Sequence, residues 1–365
     1  MTRRMRAGSV VSEAWRNLVS GTTRAGVFAV VFILGIGLIG VVDLRSMVTI
    51  LAGADQFRAA GASVQVLKGP GMVDGQRCDA LSGTGAVNRA GALRKAASVT
   101  ILNLPASPVT VIDATPNLVA MLPMIAQPVQ TGADVPGGVW LSADLAQVLG
   151  AAPGTVIHTA AGDAVVAGVY TWRDDGRARD LGYALVNPVP ADGVFDQCWA
   201  EIWPADGNLA GLSYMSLTRD PAQAQVTLGQ LNTTLGTTYD AASLLAHRLT
   251  AHAPWVAAVI GLVLGWVAVR LRRLEVASAL HARVPKADLM WSHLLEAVAW
   301  AGAASVITAA GLVWAARIGN PDPGWAVWLD GVRIIVVGAA ATLLGTIAGV
   351  ATTREKHLFR YSKDR

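Results

Sequence analysis

Charged residues are scarce in this sequence. Asp, Glu, Lys and Arg make up 15% of its 365 residues, whereas a soluble domain carries about a quarter. The shortage is local, because it falls in four apolar runs at residues 25–42, 254–269, 289–316 and 334–353. Each run approaches or exceeds the roughly 17–25 residues that an α-helix needs to cross a bilayer. The composition therefore excludes an ordinary soluble domain and predicts four membrane-spanning helices.

Motifs for nucleotide, metal and catalytic chemistry are also missing. The sequence has no GxxxxGK[ST] phosphate loop, no HExxH and no paired metal ligands among its six histidines. The stretch GTGAVN at 83–88 begins like a dinucleotide fingerprint but lacks the final glycine, so we interpret it as a turn. No Ser/His/Asp or Cys/His set is evident from spacing. We therefore expect no catalytic residue, no metal site and no cofactor bound by this chain.

The distribution of charge predicts the topology. Basic residues outnumber acidic ones five to one in 1–24 and five to two in both 270–288 and 354–365, but residues 43–252 carry twelve basic against seventeen acidic. Short basic loops stay in the cytoplasm. Both termini and the 270–288 loop are thus predicted inside, and the large region outside. Its acidic balance also argues against a nucleic-acid partner.

The sequence therefore predicts an α-helical membrane protein with four transmembrane helices and an α+β extracytoplasmic domain on a helical stalk. Apolar residues at helical spacing continue past the first span over 41–51 and recur before the second over 231–249, which predicts stalk helices at both ends of the domain. The predicted segments are a cytoplasmic amphipathic helix at the lipid surface (1–24), span 1 (25–42), the outer domain (43–252), span 2 (253–269), a cytoplasmic helix (270–287), span 3 (288–316), an outer loop (317–331), span 4 (332–353) and a cytoplasmic tail (354–365).

Short β-rich segments dominate the predicted outer domain. Strands are expected where β-branched residues alternate between Gly, Pro, Asp or Asn, at 62–69, 107–114, 154–160 and 163–172. A helix is expected over 141–154, with Ser142 as its N-cap and Gly150 near its end, and a second helix over 91–98. The mixed-charge run 173–180 is interpreted as a solvated loop, with an interaction site or, more weakly, an acid/base pair as the alternatives.

The two cysteines, Cys78 and Cys198, both fall in the predicted outer domain. An oxidising compartment permits a disulfide between them. Such a bond would close a loop of about 120 residues and contribute about 4–5 kcal/mol in the chain-entropy model. The alternative is two buried free thiols.

One charged segment separates the second and third apolar runs. Residues 270–297, RLRRLEVASALHARVPKADLMWSHLLEA, start with a basic cluster and can form about four helical turns before Pro285. Pro285 disfavours helix at the preceding residue and suits the first turn of the next helix. Two interpretations stand: a helix on which a cytoplasmic partner pushes, or a solvated connector that obeys the positive-inside rule.

Three stretches resemble the permease subunits of the FtsX/MacB-type ABC transporters. EAWRNLVSGTTRAGVFAVVFILGIGLIG is similar to the family's entry helix and first span, and the 270–297 segment to its coupling region. VWLSADLAQVLGAAPGTVI is similar to a recurrent stretch of its outer domain. The resemblance implies a bacterial plasma-membrane permease subunit. It also implies a partner ABC ATPase dimer, which binds ATP and Mg, and a second permease copy or paralogue.

The resemblance also implies roles for particular residues. The segment 271–284 would be the coupling helix that docks on the ATPase, and Glu296 matches the family's Leu-Leu-Glu. A carboxylate within a span is costly unless it faces other helices or water. His281 stands where the family usually has glycine. The implied ATPase-coupling residues are Arg272, Arg273, Glu275, Leu280, His281 and Arg283.

Three functions remain open at this point. The first is ATP-driven export or extraction of a peptide, drug or lipid-linked substrate. The second is a mechanotransmitter that regulates an extracellular cell-wall hydrolase or a sensor, which requires an extracytoplasmic protein partner. The third is an ATP-independent membrane receptor.

Overall fold

The computed structural model describes residues 7–85, 87–126, 129–131, 137–204, 209–218, 226–320 and 324–354. The chain forms two compact units. Unit 1 comprises Met1–Ala52 and Ala242–Arg365, and unit 2 comprises Gly53–Ala241. Most of the predicted cytoplasmic tail and part of the predicted outer loop lie outside the described residues.

Unit 1 is built from helices joined by short turns in the part of the chain that the structure describes. Its helices are α1 (Ala7–Val19), α2 (Ala25–Ala59, which continues into unit 2), α6 (Ala241–Ala246), α7 (Ala253–Arg270), α8 (Arg273–His281), α9 (Lys286–Arg317) and α10 (Trp325–Thr352). By length and composition, α2, α9, α10 and the segment Leu249–Arg270 are each able to cross a membrane. These four lie where the sequence predicts spans. The number of spans and their orientation remain predictions.

Small residues let α7 and α10 approach closely. A Cβ on Gly261 or Gly265 of α7 would overlap the backbone of Gly338 or Thr342 of α10. Close backbone approach increases van der Waals contact, which matters in lipid because no hydrophobic force acts between the helices. Elsewhere in unit 1, α2 and α9 pack aromatic rings against each other, with the centroids of Phe28 and Trp300 5.8 Å apart.

Unit 2 is built on a mixed β-sheet. Its described strands are β1 (Val64–Asp74), β2 (Arg89–Lys95), β3 (Val99–Ile101), β4 (Leu104–Val109), β5 (Val111–Ala114), β6 (Val129–Thr131), β7 (Val139–Ser142), β8 (Val156–Thr159), β9 (Gly162–Tyr170), β10 (Leu185–Pro188), β11 (Val194–Glu201) and β12 (Thr227–Gln230). Their order is β12-β1-β11-β2-β5-β10-β7-β9-β8-β3-β4, with β6 paired to β9. Among the described pairs, β5–β10 and β7–β9 are parallel and the others antiparallel. The predicted α+β character is confirmed.

Three short helices cover the sheet, each over its own apolar cluster. They are α3 (Gly75–Ala80), α4 (Pro116–Ile125) and α5 (Ala143–Leu149). The α5 prediction is confirmed, with Ser142 at its N-cap and Gly150 ending it in the left-handed conformation at φ 62°. The structure contains the disulfide between Cys78 of α3 and Cys198 of β11, and both cysteines are fully buried.

The helix predicted over 91–98 is wrong, because this segment is largely strand β2. Leu93 pairs with Gln197 of β11 on one side and with Ala114 of β5 on the other. A Cβ on Gly91 would overlap the backbone of Leu118, so this glycine lets α4 pack directly on the strand. Non-local pairing and packing have overridden a local, Ala-rich helical preference.

The second stalk helix, predicted over 231–249, is also wrong. Leu231 is buried in unit 2, and its N–H donates to the carbonyl of Val64 in β1. The backbone here is therefore bonded to the sheet, and the described helix in this stretch is only the short α6. In contrast, α2 runs unbroken from Ala25 to Ala59, which agrees with the extension predicted beyond span 1.

The mixed-charge run 173–180 is solvated only in part, because Arg177 is buried within it. Its guanidinium forms two hydrogen bonds with Asp175, at 2.6 and 2.7 Å. It also donates to the carbonyl oxygens of Ile125 in α4 and Ala59 at the end of α2. The Arg177 hydrogen bonds hold the pKa of Asp175 below its ordinary value. Within unit 2, this arginine therefore joins the end of α2 to α4 and to the segment 173–180.

Asn232 completes this clamp. Its side-chain amide donates to the carbonyl of Ala60 at 3.1 Å and to Asp175. Two carbonyls at the end of α2, which have no partner further along the helix, thus receive side-chain hydrogen bonds.

We predict that Arg177→Met destabilises the protein strongly. The variant leaves buried carbonyls without donors and Asp175 without its cation, for which a loss of about 3 kcal/mol is expected. The measurement is thermal unfolding of the purified full chain. Arg179→Met is the matched control, since Arg179 pairs with Asp174 on the surface and both are largely exposed. Equal melting temperatures for the two variants would contradict the assignment.

A second prediction concerns the α7–α10 contact. Gly265→Ala forces the helix backbones apart and should cost about 1–3 kcal/mol as an overpacking change. Gly302→Ala in α9 is the control, because its Cβ meets no atom within 4 Å. Melting temperatures in detergent compare the two, and a Gly265→Ala protein as stable as the control would refute the close contact.

Candidate functional site

A buried ion pair joins α8 to α9. Arg272 lies between α7 and α8, at the N-cap position of α8. Its guanidinium donates to Glu296 Oε2 at 2.5 Å and to Glu275 Oε2 at 2.7 Å. The side chains of Arg272 and Glu296 are 12% and 6% exposed, whereas Glu275 is 57% exposed. Arg272 therefore connects a surface carboxylate to a buried one.

The second oxygen of Glu296 is bonded to α1. Asn17 Nδ2 donates to Glu296 Oε1 at 2.7 Å. Both carboxylate oxygens thus have a donor, one from α1 and one from the start of α8. Glu296 faces other helices of unit 1, as a carboxylate in an apolar helix must unless it faces water. We refer to Asn17, Arg272, Glu275 and Glu296 as the carboxylate cluster.

One face of α8 is packed and the other is exposed. Val276 and Ala277 are buried, and Leu280 packs against the apolar cluster of Val269, Leu289 and Val350. The exposed residues on α8 and its flanks are Leu271, Glu275, Ser278, His281, Ala282 and Arg283. We refer to these six residues as the exposed face of α8. A face of this length and mixed polarity is suited to contact with another protein.

The predicted coupling residues separate into two groups. Glu275, His281 and Arg283 lie on the exposed face, where a partner has access to them. Arg272 and Leu280 point into unit 1: Arg272 holds Glu296 and Leu280 packs in the apolar cluster. Arg273 is half-buried. Arg272 is thus placed as an internal anchor rather than as a surface contact.

The turn after α8 does not need glycine at position 281. His281 is still helical, and the left-handed residue is Arg283 at φ 62°. The N–H groups of Arg283 and Val284 donate back to Leu280 and Ala279, which closes the helix. Although His281 replaces the family's glycine, α8 still ends in a tight turn. The left-handed residue of this turn is Arg283, two positions later.

A second buried ion pair lies before α7, at the opposite end of that helix from α8. Arg248 Nε donates to Asp43 Oδ1 of α2 at 3.0 Å. The Asp43 side chain is 3% exposed, and Arg248 also donates to the Leu245 carbonyl. This pair was not predicted from the sequence. Its only local signal is an Asp directly after an apolar run.

Asn17 and His293 were also missed. His293 stands three residues before Glu296 on α9, and its Nδ1 lies 3.8 Å from Glu296 Oε2. This spacing places the two side chains on one helical face, which is a signal that a search for intramembrane polar groups would find. Asn17 carries no such signal, because its role depends on how α1 packs on α9.

Comparisons with known proteins give partial structural likeness. No family model and no curated protein matches the sequence. Among solved structures, the chain is similar to the periplasmic region of MacB from Actinobacillus actinomycetemcomitans, at 9% identity and TM-score 0.35, over 48% of this chain and 91% of that one.

Two further structures are similar over the same share of the chain. One is a domain of a putative permease protein from Porphyromonas gingivalis, at 14% identity and TM-score 0.32, covering 46% of this chain and 90% of that one. The other is the extracellular domain of the noncanonic ABC-type transporter YknZ from Gram-positive bacteria, at 11% identity and TM-score 0.32, covering 46% and 99%. Likeness at this level carries no argument about function, which must come from the residues described above.

We predict that replacing Glu296 alone lowers the stability of the protein more than replacing both Arg272 and Glu296. Glu296→Leu leaves the buried Arg272 with the exposed Glu275 as its remaining carboxylate partner and should destabilise the protein by about 3 kcal/mol. Adding Arg272→Leu removes the stranded charge and should restore much of the loss. Melting temperatures of the single and double variants in detergent test this, and a double variant less stable than Glu296→Leu would contradict it.

Proposed function

We propose that this chain is the permease subunit of a bacterial ABC transporter, on which a separate ATPase dimer acts from the cytoplasmic side. The order of elements along the chain supports the proposal. An amphipathic helix and an apolar helix precede the mixed-sheet unit, and three more apolar helices follow it, with α8 between the first two of these. The three stretches that resemble FtsX/MacB-type permeases support it independently of the structure.

The observation that carries the proposal is the bonding of α8. Its exposed face is open to a partner, while Arg272 at its start is tied to Glu296 of α9 and, through that carboxylate, to Asn17 of α1. A displacement of α8 must move these helices or break buried polar bonds, which is costly in an apolar environment. The carboxylate cluster thus couples a surface contact to the helices of unit 1.

The continuity of α2 extends this coupling. The helix runs from Ala25 to Ala59 and therefore belongs to both units, and Arg177 and Asn232 bind the carbonyls at its end. In the proposed cycle, ATP and Mg bind to the partner ATPase, and this chain contributes no catalytic residue. A second copy or a paralogue completes the permease dimer. Motion passed along α2 acts on a peptide, drug or lipid-linked substrate outside the membrane.

The proposal predicts that different substitutions abolish binding of the ATPase and stimulation of its ATP hydrolysis. The chain is coexpressed with a candidate partner ABC ATPase from the same genome, and copurification and stimulated ATP hydrolysis are measured. Ser278→Arg, on the exposed face of α8, should abolish copurification, because a large cation enters the contact. Arg272→Leu with Glu296→Leu should preserve copurification but lower stimulated hydrolysis at least several-fold.

Ser9→Arg on the exposed side of α1 is the matched control and should change neither quantity. Unaltered copurification with Ser278→Arg would refute the docking surface. Full stimulation in the Arg272 and Glu296 double variant would refute coupling through the cluster. Export of cargo that stops when the ATPase is inactivated would favour transport, whereas a hydrolase or sensor bound to unit 2 would favour mechanotransmission.

A further inference from the structure

Four side chains of unit 1 carry buried polar atoms without a hydrogen-bond partner in the described part of the chain, and Thr23 and His293 are two of them, beside Thr250 and Ser305. His293 is 7% exposed, and neither Nδ1 nor Nε2 has a hydrogen-bond partner among the residues that the structure describes. Thr23, in the turn before α2, is also 7% exposed, and its Oγ1 has none within the same part of the chain. A buried polar group without a hydrogen bond costs about 1–3 kcal/mol, so three such atoms need an explanation.

The two side chains line one cavity. Its volume is about 20 Å³, and Arg272, Glu296 and Thr346 contribute to its wall. To hold one water molecule, a cavity needs roughly 10–15 Å³ that is open to the centre of a water-sized sphere, together with two to four polar partners. The cavity therefore has room for a single small ligand and the polar atoms to hold it.

The charges around the cavity decide what kind of ligand fits. The guanidinium of Arg272 disfavours a cation, and the carboxylate of Glu296 disfavours an anion. These two groups already neutralise each other at 2.5 Å. The atoms still to be satisfied include both donors and acceptors, because a neutral imidazole has one of each and a hydroxyl can act as either. A neutral ligand of one heavy atom that both donates and accepts is required.

We propose that this cavity binds one ordered water molecule between His293 and Thr23. The protonated nitrogen of the imidazole donates to the water oxygen, and the water donates to Thr23 Oγ1 and to a free lone pair of Glu296. One water therefore satisfies Thr23 Oγ1 and one of the two imidazole nitrogens. The water ties the α1–α2 turn to α9, next to the place where Asn17 ties α1 to the same helix. The carboxylate cluster and the water then form one polar network. This inference does not depend on the proposed function.

The direct test is an experimental structure of the full chain at a resolution that shows ordered water. One density peak within hydrogen-bond distance of both His293 and Thr23 is expected. The proposal is overturned if the cavity is occupied by a side chain, if His293 bonds directly to a protein group, or if no peak is present.

A double-mutant cycle tests the same site without a map. Thr23→Val keeps the shape but removes the hydroxyl, so it should lower the melting temperature of the full chain by a few degrees. In the His293→Leu background, where the water has lost its main partner, Thr23→Val should have less than half that effect. Additive effects of the two substitutions would reject a shared water.

Thr308→Val is the matched control for this cycle. Thr308 is a buried threonine of α9, and its Oγ1 is satisfied within its own helix by the Ala304 carbonyl at 2.8 Å. Its effect should be the same with and without His293→Leu. If Thr308→Val couples to His293→Leu as strongly as Thr23→Val does, the coupling reflects general repacking and the water site is rejected.

Discussion

The buried carboxylate of Glu296 is the group on which the arrangement of unit 1 depends. Burying an ion in an apolar environment costs several kcal/mol unless it is paired and hydrogen-bonded. Glu296 meets that requirement only when Arg272 and Asn17 reach it from two other elements. One side chain therefore dictates where α1 and the start of α8 must lie against α9. The same bonds leave the far side of α8 exposed.

The pair formed by Asp43 and Arg248 repeats this solution at the other end of α7. Between the two pairs, α7 and α10 meet through glycines such as Gly261 and Gly265, where the backbones approach closely. Unit 1 thus has a buried ion pair near each end of α7, and the backbones of α7 and α10 pack closely between them. Such an arrangement favours movement of α7 and α10 together rather than sliding between them.

Local patterns in the sequence were sufficient to predict α2, its extension over 41–51 and the position of α5 between Ser142 and Gly150. They failed where the structure depends on distant partners. Strand β2 has an Ala-rich, helix-favouring sequence, but pairing with β5 and β11 decides its conformation. The burial of Arg177 was not predicted, because two of its four hydrogen bonds go to the backbone carbonyls of Ile125 and Ala59, and a carbonyl partner is not visible in a sequence. For the same reason, the segment 270–297 predicted a helix at the right place but could not distinguish Arg272, which points inward, from His281, which points outward.

The disulfide has a practical consequence for spectroscopy. The chain contains two cysteines, and both are buried and joined to each other in unit 2. A thiol introduced by mutation on the exposed surface would be the one reactive site for a maleimide or nitroxide reagent under non-reducing conditions. Pairs of labels on α8 and on unit 2 would then report nanometre distances during a nucleotide cycle, without the need to prepare a cysteine-free background first.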